Sequence, residues 1–177
     1  MSDIQNAFRL IGSLDLTSLS HDDTEEKIAA LCAKAVTPYG TTAAVCVYPE
    51  WVPLARKLLK KTPVKVATVV NFPAGGNDFK LMKDEIKKGL SGGADEIDAV
   101  FPYRDFLAGN TDSCRRFLDI IQRECGKHTS KIILETGELN HVSTIAAAVK
   151  LCLEYDIDFI KTSTGKTPVS ATVGAAN

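Results

Sequence analysis

No apolar run in the sequence approaches the roughly 20 residues that cross a bilayer. The first residues, MSDIQNAFRL, carry acid early and have no apolar signal core. These two absences leave a membrane span or secretory leader without a basis, and a cytoplasmic protein is expected. Charge of one sign is missing as well. Over 177 residues, 21 Lys and Arg stand against 22 Asp and Glu, for a net charge of −1. Such a balance offers no electrostatic footprint for nucleic acid or for an anionic membrane. Five cysteines occur (Cys32, Cys46, Cys114, Cys125 and Cys152), but the count is odd and no C-x-x-C pair exists. Zinc spacing and H-E-x-x-H are absent too, so no metal is expected. The thiols read as small buried hydrophobes in a reducing compartment. His21, His128 and His141 fall at helix starts or in loops, and none is assigned a catalytic role.

Nucleotide signatures are also missing. No G-x-G-x-x-G occurs, which argues against a dinucleotide fold. Gly165-Lys166-Thr167 looks like the tail of a P-loop, but Ile160 stands where that motif needs its first glycine. Pro168 would also fall inside the helix that a P-loop opens.

What is present is alternation. Short apolar runs predict strands over Ile11–Leu16, Ala43–Tyr48, Lys65–Asn71, Glu96–Phe101, Lys131–Glu135 and Phe159–Thr162. Amphipathic stretches predict helices over Asp22–Ala35, Glu50–Lys60, Asp78–Leu90, Thr111–Cys125 and His141–Glu154. The segments Asn110–Asp112 and Asn140–Thr144 read as helix N-caps, and Gly92-Gly93 and Gly126 as helix stops. Strands recur every roughly 25–35 residues, the length of a βα unit with its return loop. A parallel α/β sheet covered by helices follows. An open doubly wound sheet and a (β/α)8 TIM barrel both fit, and the missing glycine fingerprint favours the barrel. No linker or low-complexity tract divides the chain, so residues 1–177 are expected to form a single domain.

In either architecture, ligands sit beyond the carboxyl ends of the strands. Lys161 ends the sixth predicted strand, and a small-residue turn, Thr162-Ser163-Thr164-Gly165-Lys166, follows at once. An amine on a rigid strand tip is a candidate carbonyl nucleophile. A small-residue turn ending in Gly-Lys is a candidate phosphate cradle. A solvated surface charge is the plainer alternative for either lysine. At an ordinary pKa of about 10.4, only roughly one lysine amine in 2,500 is neutral at pH 7. Burial or a neighbouring cation must raise that fraction. Strand alternation turns Asp98 toward the barrel axis with Glu96 and Val100, and Ile97 and Ala99 toward the helices. An interior carboxylate needs a cation, and Lys161 and Lys131 are available on neighbouring strands. A helix-facing register or a purely structural ion pair would explain Asp98 equally well at this point.

Six ordered segments narrow the reading: Asp15-Leu16-Thr17-Ser18-Leu19; Tyr48-Pro49; Asn71-Phe72-Pro73; Glu96 through Arg104; Glu135-Thr136-Gly137-Glu138-Leu139; and Phe159 through Lys166. Together they resemble the deoxyribose-phosphate aldolase family, class I aldolases on a (β/α)8 barrel. The resemblance implies that Lys161 forms a Schiff base and Asp98 relays protons. It implies that Gly165 and Lys166 belong to the phosphate site, that Cys46 and Thr164 line the pocket, and that Asp15 lies near the substrate hydroxyls. Lys131 is counted with the substrate-binding set. The implied reaction cleaves 2-deoxy-D-ribose 5-phosphate to D-glyceraldehyde 3-phosphate and acetaldehyde, in deoxyribonucleotide catabolism. No metal and no cofactor are implied, because the iminium itself is the electron sink. The implied partner is the sugar phosphate, with a homo-oligomer as a further expectation.

The family continues through two more βα units, with a second active-site lysine on the seventh strand, and the sequence stops at Asn177. Only about the first six units are therefore expected here. A weakly active, self-associating aldolase is one expectation, and an aldolase-like protein that binds a sugar phosphate or a protein partner without turnover is the other. A Schiff-base aldolase acting on a different phosphorylated aldehyde is a third.

Overall fold

The structure, a computed structural model, describes residues 3–176. Six strands, β1 (Asp15–Thr17), β2 (Ala44–Val47), β3 (Lys65–Val70), β4 (Glu96–Val100), β5 (Thr129–Ile133) and β6 (Phe159–Lys161), run parallel. Their order in the sheet is their order in the chain. The helices are α1 (Asp3–Ile11), α2 (Glu25–Lys34), α3 (Val52–Leu59), α4 (Phe79–Gly92), α5 (Tyr103–Leu107), α6 (Thr111–Cys125), α7 (Thr136–Leu139), α8 (Val142–Cys152) and α9 (Val173–Ala176). A short antiparallel ribbon pairs Val36–Thr37 with Gly40–Thr41. The chain divides into two compact units, residues 1–68 with 88–96, and residues 69–87 with 97–177.

In the first unit, Asp15 stands opposite Ala44 and Thr17 opposite Cys46, and Ala44 in turn stands opposite Lys65. Every residue of β2 is buried, as an all-apolar run in a parallel sheet should be. Thr24 caps α2 by accepting the Lys27 N–H at 3.3 Å, and Glu25 and Glu26 sit where the helix dipole favours acid. Asp95, just ahead of β4, clips the start of β3. Its Oδ2 accepts the Val66 N–H at 2.8 Å and Arg56 Nη1 at 2.7 Å, and its own N–H donates to the Val66 carbonyl at 2.8 Å.

In the second unit, α6 carries its apolar residues at helical spacing and buries Cys114, Phe117, Leu118, Ile121 and Cys125. Each of the large ones contributes about 1.5–3 kcal/mol on leaving water. Asn110 caps this helix by accepting the Ser113 N–H at 3.3 Å, and Gly126, with φ 57°, ends it. Asp158 repeats the clip of Asp95 at the start of the next strand pair. It accepts the Ser130 N–H at 2.8 Å and returns its own N–H to the Ser130 carbonyl at 3.2 Å. Lys131 then stands opposite Phe159, and Ile133 opposite Lys161.

Several sequence expectations need correction. The first strand is Asp15–Thr17 and not Ile11–Leu16, because Ile11 belongs to the last turn of α1. Asp15 therefore opens that strand. The fifth strand ends at Ile133, because Glu135 turns into the left-handed region at φ 57° and starts α7. Asn140 does not cap α8: it closes α7 at φ 66°, and His141 precedes Val142 without a side-chain capping bond.

Candidate active site

Asp98 is the third residue of β4 and is completely buried, as are Ile97, Ala99 and Val100 around it. A dry carboxylate costs several kcal/mol unless cations answer it. Two lysines do. Lys161 Nζ lies 2.5 Å from Asp98 Oδ2, and Lys131 Nζ lies 3.5 Å from Asp98 Oδ1. Lys131 is on β5 with its side chain 7% exposed, whereas Lys161, the last residue of β6, is 32% exposed. The cluster is thus graded. One lysine side chain is enclosed, the carboxylate is dry, and the second lysine side chain is partly exposed.

The backbone past these strands is held in register. Leu134 N donates to the Lys161 carbonyl at 3.0 Å, and Thr136 N to the Thr162 carbonyl at 2.8 Å. Glu135, fully buried, faces the turn after β6. Its carboxylate accepts the Thr164 N–H, 3.3 Å from each oxygen, and also the Thr164 hydroxyl. Thr164 Oγ1 in turn accepts the Lys166 N–H at 3.0 Å. Gly165 takes φ 74°, which an L residue adopts only with strain, and space is open around it. Gly137 serves closeness instead, since a Cβ there would collide with the Val169 carbonyl.

A second loop, after β3, is organised by Asn71. Its Nδ2 donates to the carbonyls of Val100 and Gly76, both at 2.9 Å, and its N–H donates to Glu85 Oε2 at 2.7 Å. Tyr103 is buried, and burial pushes its phenol above the ordinary value. Among the described residues, no cluster of three or more His, Cys, Asp or Glu side chains could hold a metal ion. No helix among them is long and apolar enough to cross a membrane.

The structure therefore brings Asp98, Lys131 and Lys161 together, and joins Thr164 to Lys166 across Gly165. Asp15 and Cys46 lie in the other unit, on β1 and β2, with Cys46 buried opposite Thr17 and Ala67. Sequence reasoning gave no role to Glu135. The signal was an acid at the end of an apolar run, followed at once by Thr136-Gly137, a place where a solvated carboxylate would be ordinary. Its burial against Thr164 depends on a pairing 29 positions along the chain.

A family model described as DeoC/LacD family aldolase matches residues 9–177. Among solved structures, a provisionally assigned deoxyribose-phosphate aldolase from Coccidioides immitis superposes with a TM-score of 0.89 at 29% identity. That match covers 95% of this chain and 65% of the Coccidioides protein, so the chain spans just under two thirds of that protein's length. An aldolase named QR15 matches with a TM-score of 0.86 and 32% identity, over 99% of this chain and 74% of its own. A deoxyribose phosphate aldolase from Aeropyrum pernix, described as tetrameric, matches with a TM-score of 0.78 and 27% identity, over 90% of this chain and 66% of its own. The parallel α/β arrangement is accordingly that of a partial (β/α)8 barrel.

Proposed function

The chain belongs to the DeoC/LacD aldolase family, and from that premise we propose that it carries the Schiff-base centre of a deoxyribose-phosphate aldolase. The single observation that carries the reading is one buried carboxylate shared by two lysines, with the side chain of the outer lysine partly exposed. Two ammonium groups against one carboxylate leave a surplus positive charge. Lys161 can release a proton while Asp98 keeps a cation in Lys131.

The neutral Nζ of Lys161 then adds to the aldehyde carbon of open-chain 2-deoxyribose 5-phosphate, and the carbonyl oxygen takes a proton. Loss of that oxygen as water leaves an iminium. Removal of the C3 hydroxyl proton breaks the C2–C3 bond, and its electron pair moves toward the iminium to give an enamine. Glyceraldehyde 3-phosphate departs. Protonation of the enamine at C2 and addition of water free acetaldehyde and restore the amine. In this reading Asp98, 2.5 Å from the nucleophile, moves protons during formation and loss of the carbinolamine. The Thr164–Lys166 turn is the proposed phosphate contact, with Asp15, Cys46 and Lys131 completing the substrate-binding set. A cytoplasmic role in deoxyribonucleotide breakdown, a single barrel domain and a homo-oligomeric state belong to the same proposal. The tetrameric Aeropyrum relative favours the last of these.

A second reading, sugar-phosphate binding with little turnover, is favoured by the exposure of Lys161's own strand. Phe159 is 58% and Ile160 36% exposed, so apart from its pairing with β5 and the contact of Lys161 with Asp98, β6 has little packing around it. Acetaldehyde release from 2-deoxyribose 5-phosphate separates the two, measured with the solution mass of the same sample. Steady release dependent on Lys161 supports the aldolase. Saturable binding of the sugar phosphate without acetaldehyde supports the second reading.

A further inference from the structure

We propose that Glu135 is a positioning residue, whose buried carboxylate holds the Thr164–Lys166 turn in the shape that receives phosphate. The proposal rests on the reading above only for what the turn binds. The tether itself stands on geometry. Glu135 is fully buried and adopts φ 57°, ψ 62°, a conformation unusual for a non-glycine residue. That backbone turn carries the side chain from the end of β5 to the turn after β6. There both carboxylate oxygens stand 3.3 Å from the Thr164 N–H, and the Thr164 hydroxyl donates to Oε2. With its proton committed to Glu135, the hydroxyl oxygen is left as an acceptor, and it takes the Lys166 N–H at 3.0 Å. The chain of bonds thus runs from a buried acid to the backbone of Lys166 and spans Gly165 at its positive φ.

Neighbouring groups do not duplicate this tether. The backbone bond from Thr136 to Thr162 stops two residues short of Thr164. The hydroxyls of Thr136 and Ser163 are buried and have no hydrogen-bond partner among the described residues. A carboxylate suits the task because it only accepts, and here two donors of one residue converge on it. Glu135 touches no reacting atom in this scheme. It acts on phosphate through Thr164 and Lys166.

The test is a double-mutant cycle in the full chain, Glu135→Gln, Thr164→Val and both together, with Thr164→Ser as the conservative control. One readout is amide hydrogen exchange at Thr164 and Lys166, with Ile132 and Ile133 on β5 as internal references. The other is the dissociation constant for inorganic phosphate. Each single variant should speed exchange at the two turn amides by about tenfold and weaken phosphate by about tenfold. The reference amides should move less than about threefold. The double variant should be no worse than the poorer single, because both remove one tether, and Thr164→Ser should retain most of the protection. Unchanged exchange at Thr164 and Lys166 in Glu135→Gln would overturn the proposal. So would equal acceleration at Ile132 and Ile133, which would make Glu135 a general stability residue. Wild-type chain that binds no phosphate would defeat the phosphate part of the functional reading, and the exchange data would still decide the tether.

Discussion

At the start of β5 and β6, the carboxylate of Asp158 accepts the Ser130 N–H at 2.8 Å and the hydroxyl of the same residue at 3.4 Å. Farther along the same layer, the carboxylate of Asp98 is shared by two lysine side chains, at 2.5 and 3.5 Å. The residue type is the same, but the partner differs. Backbone N–H groups are fixed by the sheet, so Asp158 sets register. Ammonium groups sit on flexible stems and exchange protons, so Asp98 can take part in chemistry. Parallel α/β barrels follow this division, with stability at the amino ends of the strands and catalysis at the carboxyl ends. Asp95 repeats the stabilising form in the first unit, where it holds Val66 N at 2.8 Å.

Lys161→Arg should have the greatest consequence for the chemistry. A guanidinium keeps the charge beside Asp98 but is not a usable nucleophile at neutral pH. Borohydride-trappable imine should fall by about 10³-fold or more, while the denaturation midpoint moves little. Next is Asp98→Asn, which removes the charge and keeps the shape. Acetaldehyde release should drop by about 10²–10⁴ in kcat, with a smaller change in KM. A normal kcat with weakened binding would turn Asp98 from a proton carrier into a recognition group. Asp158→Ala addresses the other end of the strands. It strands the N–H of Ser130, a buried residue, and should cost about 1–3 kcal/mol in urea unfolding. Imine formation per folded molecule should not change.

How far these ends could be distinguished in the sequence depends on locality. Lys161 was legible because an apolar run stops at it and Thr-Ser-Thr-Gly-Lys follows. Asp98 was legible because two-residue alternation turned it inward, although only the fold could choose which lysines meet it. Glu135 was not, since its partner Thr164 is remote in sequence and its left-handed backbone has no signature in Glu-Thr-Gly. Helix α1 and the Val36–Thr41 ribbon also escaped notice. The first does carry apolar residues at helical spacing (Ala7, Phe8 and Ile11), but the strand expected from Ile11 took the last of them, and the second is built of two-residue strands too short for any periodicity. The clips of Asp95 and Asp158 escaped for a third reason. A single acid before a strand is an ordinary solvated residue until the neighbouring strand presents its N–H.

A further expectation concerns the cysteines, all buried. Burial pushes the Cys125 and Cys152 thiols up to about 12, and that of Cys114 to about 11. Their unfolded value is near 8.5. A folded value raised above the unfolded one stabilises the fold fully below pH 8.5 and loses that contribution as pH climbs toward 11–12. The melting temperature should therefore decline through that alkaline window, and Cys152→Ala should flatten the decline. A flat alkaline limb in the unsubstituted protein would show that these thiols are not held away from water.

In the proposed chemistry Lys161, and not its enclosed neighbour Lys131, is the reacting amine. Incubation of the 177-residue chain with acetaldehyde and borohydride, followed by peptide mass mapping, tests it directly. The predicted result is an ethyl group on Lys161, abolished by Lys161→Arg and slowed by Asp98→Asn. An ethyl group on Lys131 instead, or equal labelling of surface lysines with none favoured, would contradict it.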